Sequence, residues 1–336
     1  MEKPFISVII ICYDRKQFIL KALASTLNQT LSKSKYEIIV TKSFKDKKVD
    51  DFTSKHHITS VYSPNKKEGY RLSLALKKAK GDVIAFLDDD DEFAKNKLET
   101  VYKYFKEDTN LIFYHNNFYL INEADKILHT NQRLLGKRVL IDSEKKKANS
   151  LKYIVSEFKA NENASSMVLR KKLIENSLFD LKKITVALDA FSFFIALLNT
   201  GNVLVDSTPL TFYRVHSIGS VTNGPLATFN KFYMHRKKYT KLAVKDTYIL
   251  YNICIGTPFQ DFVNKLLSET KLYYGLYSGT NGINKYLPST SDYLIFLSEP
   301  NKGKISFVLQ VILSKFLKSF VLKLIYKHYI KERMSS

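Results

Sequence analysis

Hydrophobic and polar positions follow two different periods along the first hundred residues. Short continuous runs of apolar, β-branched residues predict buried strands, and apolar residues spaced three or four positions apart predict helices. The predicted strands cover 5–12, 36–41, 58–62 and 83–87, and the predicted helices cover 15–29, 71–79 and 97–105. Because strands alternate with helices, we expect right-handed crossover connections and a largely parallel sheet.

The pattern changes twice further along the chain. Asp189 begins a predicted apolar helix at 190–198, and the polar, lysine-rich stretch 126–149 is predicted to be a loop or flap. From residue 227 onward the pattern is helical. Further strands are predicted at 111–115, 166–169, 202–206 and 209–213. We expect three parts, which are a sheet-containing domain at 1–226, a helical extension at 227–300 and a basic, apolar tail at 301–336.

The tail contains no aspartate or glutamate between Lys302 and Ile330, and its lysines are scattered among large apolar residues. A basic, apolar helix of this kind is typical of proteins that lie on the surface of an anionic membrane. The alternative is a terminal helix that packs on the protein while its lysines reach the solvent. Because no run of about eighteen uncharged apolar residues exists, we expect no standard transmembrane helix.

Composition narrows the class of protein. An apolar content of 45% in 336 residues is ordinary for a folded protein with a sizeable core. The two cysteines, Cys12 and Cys254, lie far apart, which argues against a disulfide framework or a zinc site and fits a reducing compartment. The net charge of +21 indicates a binding partner such as nucleic acid, an anionic membrane or a phosphorylated substrate. The alternative is a lysine-rich surface without such a partner.

An acidic cluster follows the predicted strand at 83–87, where Asp88–Asp91 are four consecutive aspartates and Glu92 comes next. Adjacent carboxylates raise each other's pKa values unless a cation compensates for their charge. Mg²⁺ binds one or two carboxylates and completes its shell with substrate phosphates and water. Ligands bind beyond the carboxyl ends of strands in such sheets, so the cluster indicates a metal and nucleotide-phosphate site. The alternative is an acidic turn that caps the next helix.

Two segments together resemble the family 2 glycosyltransferases. Residues 7–15 read SVIIICYDR, as in the family's opening strand, and residues 81–91 read GDVIAFLDDDD, as around its Asp-x-Asp motif. The resemblance covers residues 5–221. It implies the GT-A fold, which is an α/β, Rossmann-like, mostly parallel sheet flanked by helices, followed here by a helical C-terminal extension.

The resemblance implies roles for residues at matching positions. Asp90 would hold Mg²⁺ or Mn²⁺ with His216, and Asp189 would be the catalytic base, although Leu188 stands where the family's Glu-Asp pair has its glutamate. The residues expected to bind the nucleotide sugar are Cys12, Tyr13, Asp14, Arg15, Arg71, Asp88, Asp89 and Arg214.

The chain departs from the family after the second predicted strand. The family usually has an aspartate there that recognises the nucleotide base, but residues 39–43 read IVTKS. Either base recognition differs, or Asp46 or Asp50 takes the place of that aspartate.

The resemblance implies a metal-dependent, inverting glycosyltransferase that moves a sugar from a nucleotide-sugar donor to an acceptor hydroxyl. The expected partners are a glycan or polyprenyl-linked acceptor and an anionic membrane surface, but not nucleic acid. The expected location is the cytoplasm, peripheral on the inner face of the cell membrane. One alternative is an inactive, glycosyltransferase-like protein that binds membrane surfaces. Another is a nucleotidyltransferase, although residues 6–31 contain no glycine for a phosphate-binding loop. A nucleic-acid binder would leave the aspartates unexplained.

Overall fold

The computed structural model describes residues 3–12, 16–130, 136–215, 228–279 and 282–334. The chain divides into two compact units, Met1–Val215 and His216–Ser336, which we call the amino-terminal and the carboxyl-terminal unit.

Four parallel strands form the first half of the sheet in the amino-terminal unit. They are β1 (Ile6–Cys12), β2 (Tyr36–Lys42), β3 (Thr59–Tyr62) and β4 (Val83–Asp88), in the spatial order β3-β2-β1-β4. Apolar residues on β1 and β4 are fully buried because helices cover these strands. The helices of this half are α1 (Ile19–Leu27), α2 (Lys47–Lys55), α3 (Glu68–Leu76) and α4 (Lys97–Glu107).

The second half of the sheet is mixed. Its strands are β5 (Glu92–Phe93), β6 (Leu111–Ile121), β7 (Ile127–Thr130), β8 (Arg138–Ile141), β9 (Met167–Arg170) and β10 (Asn202–Arg214). Strand β9 lies antiparallel between β4 and β6, while β6 and β10 are parallel. Strand β7 pairs with β6, and both β5 and β8 pair with β10. The helices of this half are α5 (Glu144–Phe158), α6 (Lys171–Asn176), α7 (Leu178–Leu181) and α8 (Leu188–Leu197).

Two predictions about this half are wrong. The stretch 126–149 is not a loop, because it contains β7, β8 and the start of α5. The predicted strands 202–206 and 209–213 are one strand, β10, whose register shifts between Asp206 and Pro209. Proline has no N–H to donate to the ladder, so the strand continues past Pro209 only with a bulge.

The carboxyl-terminal unit is helical. Its helices are α9 (Phe229–Cys254), α10 (Gln260–Ser278), α11 (Thr290–Phe296), α12 (Lys302–Leu313) and α13 (Lys318–Met334). The basic, apolar segment predicted as one helix therefore forms two, α12 and α13. Across the ranges of the chain given above, no helix is both long enough and apolar enough to cross a membrane.

Candidate active site

The parallel strands bring several predicted site residues to one edge of the sheet. Ile11 on β1 pairs with Asp88 at the end of β4, so Cys12 lies one residue beyond that pair. Helix α3 begins on the same side because it follows the parallel strand β3, and its first turn carries the buried Arg71. Arg71 donates a hydrogen bond to the Asn65 carbonyl at 2.9 Å. This edge is where a nucleotide would bind in an open α/β sheet.

The aspartate cluster has the composition and spacing of a divalent cation site. Carboxylate oxygens of Asp88, Asp90 and Asp91 lie within 4.8 Å of one another. Burial raises the pKa of Asp91, and the charges of Asp90 and Asp88 raise it further. A hard cation would relieve this repulsion, since Mg²⁺ and Mn²⁺ prefer carboxylate oxygens. The donor set therefore fits the predicted metal.

A short turn at Ala164–Ser166 holds the cluster in place. The Ser165 hydroxyl donates to an Asp91 carboxylate oxygen at 2.6 Å and accepts from the Asp88 backbone N–H at 2.9 Å. Lys97, at the start of α4 and fully buried, donates to the Ser165 carbonyl and, at 2.9 Å, to the Thr211 hydroxyl. Lys97 thus fixes the turn to β10. Burial lowers the pKa of Lys97 well below its usual value, and the charge of Asp91 opposes that effect.

Arg214, the last residue of β10, supports the cluster from the other side. Its backbone N–H donates to Asp91 at 2.9 Å, and its Nε donates to the Asp90 carbonyl at 2.8 Å. The guanidinium, whose side chain is 0% exposed, also donates to the carboxylates of Glu92 and Asp125. The structure therefore gives Arg214 several partners within the protein. Its predicted contact with a diphosphate stays a prediction.

Asp189 is in the first turn of α8 and is partly exposed. Its carboxylate accepts a hydrogen bond from the Ala190 N–H at 2.8 Å. Burial raises the pKa of Asp189 to about 6, and the charge of Glu162 adds to that effect, while backbone N–H groups of Ala190 and Asn163 oppose it. An aspartate with this pKa is ionised at neutral pH yet is a stronger base than an ordinary carboxylate, as general-base catalysis requires.

Tyr213 lies near both Asp189 and the aspartate cluster. Burial raises the pKa of its hydroxyl well above the usual range, and nearby negative charges raise it further. These charges belong to Asp91, Asp90, Asp88 and Asp189. Asp189 and the aspartates of the cluster are therefore both near enough for their charges to act on the Tyr213 hydroxyl. The sequence did not indicate Tyr213 as a site residue.

Several predicted residues are engaged elsewhere or not described. Tyr13, Asp14, Arg15 and His216 lie outside the described residues. Asp46 caps α2 by accepting from two backbone N–H groups of its first turn, and Asp50 forms an ion pair with Lys42 at the end of β2. Both candidates for the missing base-recognising aspartate therefore already have partners within the protein.

The sequence also missed two residues that organise the cluster, Lys97 and Ser165. The sequence does not distinguish Lys97, because α2, α6, α12 and α13 also begin with a lysine. Nothing in the sequence marks Ser165, whose partner Asp91 is 74 residues away.

Residues 7–176 match the family model of Glycosyl transferase family 2, so the chain belongs to this family of glycosyltransferases. An uncharacterized glycosyltransferase of Rickettsia bellii is 35% identical over 129 residues, and one of Rickettsia conorii is 36% identical over 129 residues. The matched segment covers 37% of this chain but only 18% and 21% of those proteins. This chain therefore matches about a fifth of the length of its curated relatives.

Solved structures support the fold over most of the chain. The Staphylococcus aureus TarS 1-349 structure in complex with UDP-GlcNAc has a TM-score of 0.54 and 14% identity, and the alignment covers 92% of this chain and 91% of that one. The mannosyltransferase PcManGT from Pyrobaculum calidifontis, in complex with GDP-Man and Mn²⁺, has a TM-score of 0.50 and 13% identity, with coverages of 98% and 86%. The predicted GT-A fold with a helical C-terminal extension is confirmed.

Proposed function

We propose that this family 2 glycosyltransferase moves a sugar from a nucleotide-sugar donor to an acceptor hydroxyl, with inversion and with a divalent cation. The observation that carries the proposal is the cluster formed by Asp88, Asp90 and Asp91, whose carboxylate oxygens lie within 4.8 Å of one another. Asp189, whose pKa is raised, lies near enough for its charge to act on Tyr213 together with the charges of the cluster.

The aspartates would hold Mg²⁺ or Mn²⁺, with Asp90 as the central ligand and His216 as a proposed further ligand. The cation would supply positive charge to the departing nucleoside diphosphate. Arg71 and the segment Cys12–Arg15 would bind the nucleotide part of the donor, together with Asp88 and Asp89. Ser165 and Lys97 would keep the carboxylates oriented toward the donor, because their hydrogen bonds fix the backbone and side chain of the cluster.

Asp189 would accept the proton of the attacking hydroxyl. In a single displacement the acceptor oxygen forms a bond to the anomeric carbon as the bond from that carbon to the diphosphate oxygen breaks. The electron pair of the broken bond leaves with the diphosphate, and the hydroxyl proton passes to Asp189. Inversion follows because attack and departure occur on opposite faces of the sugar.

The proposed acceptor is a glycan, with a polyprenyl-linked glycan as one candidate. We place the enzyme in the cytoplasm at the inner face of the membrane. The support is the basic, apolar composition of 301–336. A lipid-linked acceptor would lie at this surface.

The donor and the metal are tested together. The protein is incubated with UDP-, GDP- and dTDP-sugars, with Mn²⁺, Mg²⁺ or a chelator, and nucleoside diphosphate release and donor binding are measured. We expect metal-dependent binding of one donor, which Asp90→Ala abolishes. Asp51→Ala is the matched control, since Asp51 is an exposed helical aspartate that pairs with Lys47. No donor binding under any metal condition would contradict the proposal and favour an inactive, glycosyltransferase-like protein.

A further inference from the structure

Large apolar side chains are exposed in a row on the carboxyl-terminal unit. Of the 19 large hydrophobic residues found exposed in the described ranges, eight fall within the 20 residues of 305–324. Phe316 is 81% exposed and Phe320 is 61% exposed. We call the eight residues the apolar face, and they are Ile305, Leu309, Ile312, Leu313, Phe316, Leu317, Phe320 and Leu324.

The same two helices are anchored by their opposite side. Val308 and Val311 on α12, and Val321 and Leu322 on α13, are buried in the hydrophobic core of this unit. The exposed residues of α12 recur three or four positions apart, so they share one side of the helix. Large apolar residues that share one exposed side of a helix are rarely left uncovered in a folded protein unless they bind a partner. One side of α12 and α13 therefore packs in the core, and the apolar face is left exposed.

Charge indicates what kind of partner fits. Lys323 and Lys327 are exposed, and their helical spacing from Phe320 and Leu324 puts them on the same outward side of α13. The carboxyl-terminal unit carries 17 of the 53 Lys and Arg residues but only 6 of the 32 Asp and Glu residues. The partner must therefore offer both an apolar phase and negative charge.

An anionic bilayer meets both requirements. A nucleic acid offers negative charge without an apolar phase, and a second copy of this chain would bring like charges together. We propose that the apolar face binds the surface of an anionic membrane, with Phe316 and Phe320 among the acyl chains and Lys323 and Lys327 at the lipid headgroups. The surface lies wholly in the carboxyl-terminal unit, so its test reads lipid binding and not sugar transfer.

Vesicle binding by the full-length chain tests the surface. The protein is centrifuged with vesicles of phosphatidylcholine alone and with vesicles that also contain phosphatidylglycerol. We expect the anionic vesicles to bind much more protein than the phosphatidylcholine vesicles. The double variant Phe316→Ser/Phe320→Ser should lower the partition coefficient roughly tenfold or more, because it removes two inserted side chains. Lys323→Gln/Lys327→Gln should lower it by about tenfold as well.

Phe179→Ser is the matched control, because Phe179 is 77% exposed but lies in the amino-terminal unit. Its partition coefficient should equal that of the unchanged protein. Circular dichroism should show all variants folded, since the changed side chains are exposed. The proposal fails if anionic vesicles bind no protein, or if the Phe316→Ser/Phe320→Ser variant binds like the control. It also fails if the two phenylalanines instead support self-association in analytical ultracentrifugation without vesicle binding. Donor binding is unaffected in either case, so loss of lipid binding and loss of transfer are distinguishable.

Discussion

At the scale of single residues, Asp189 determines the expected pH dependence. A carboxylate accepts a proton only when it is ionised, so activity should fall as pH decreases through its pKa of about 6. An ordinary aspartate, with a reference value of 3.8, would stay ionised well below that pH. We expect kcat/KM to fall below pH 6. We expect Asp189→Asn to reduce kcat/KM by about 10²–10⁴-fold without changing donor binding.

Glu162→Gln is the companion variant. Its charge raises the pKa of Asp189, so removing it should move the acidic limb of the profile to lower pH and leave the maximum rate unchanged. A bare lipid phosphate needs no general base. Full activity of Asp189→Asn would therefore contradict a hydroxyl acceptor and indicate a phosphate acceptor instead.

At the scale of secondary structure, the sequence predicted those elements whose signals are local. Three features were each predicted because each is a continuous stretch of sequence. They are the apolar run of β4, the aspartates that follow it and the apolar helix that follows Asp189. Strands β7 and β8 were missed because each has only four residues, ILHT and RVLI, within a polar, lysine-rich stretch. Pairing with β6 and β10 decides their structure. The support of the cluster by Lys97 and Arg214 depends on contacts across 68 to 124 residues, which no local pattern records.

Helix α3 offers a test of how its position affects the site. A Cβ at Gly69 would lie 1.8 Å from the Leu181 carbonyl oxygen, so Gly69→Ala must push α3 away from α7. We expect a loss of about 1–3 kcal/mol in the free energy of unfolding, as for other overpacked sites. Donor binding should weaken too, because Arg71 lies on the displaced turn.

The measurements are urea unfolding and donor titration. Gly303→Ala on α12 is the control. Its Cβ would meet Asn301 Oδ1 at 3.3 Å, and alanine is favoured over glycine in helices by about 1 kcal/mol. We expect no loss of stability for it. Wild-type stability in Gly69→Ala would show that α3 does not depend on this close contact.

At the scale of the whole molecule, the net charge of +21 has more than one explanation, and salt separates them. Binding that rests on charge alone falls steeply as salt rises, as it does for nucleic acids. Binding that also buries apolar side chains retains the hydrophobic contribution to its free energy, which salt does not screen. The protein combines both features on α12 and α13, so its response to salt should have two components.

We expect vesicle binding to weaken between 0.05 and about 0.5 M NaCl but to persist at the higher concentration, because the apolar face contributes independently of charge. The Phe316→Ser/Phe320→Ser variant retains every lysine and should lose nearly all binding over the same range. Cosedimentation at each salt concentration measures both proteins side by side. If salt removes the binding of the unchanged protein as completely as that of the variant, the lysines alone hold it to the membrane. The exposed phenylalanines then have no part in lipid binding.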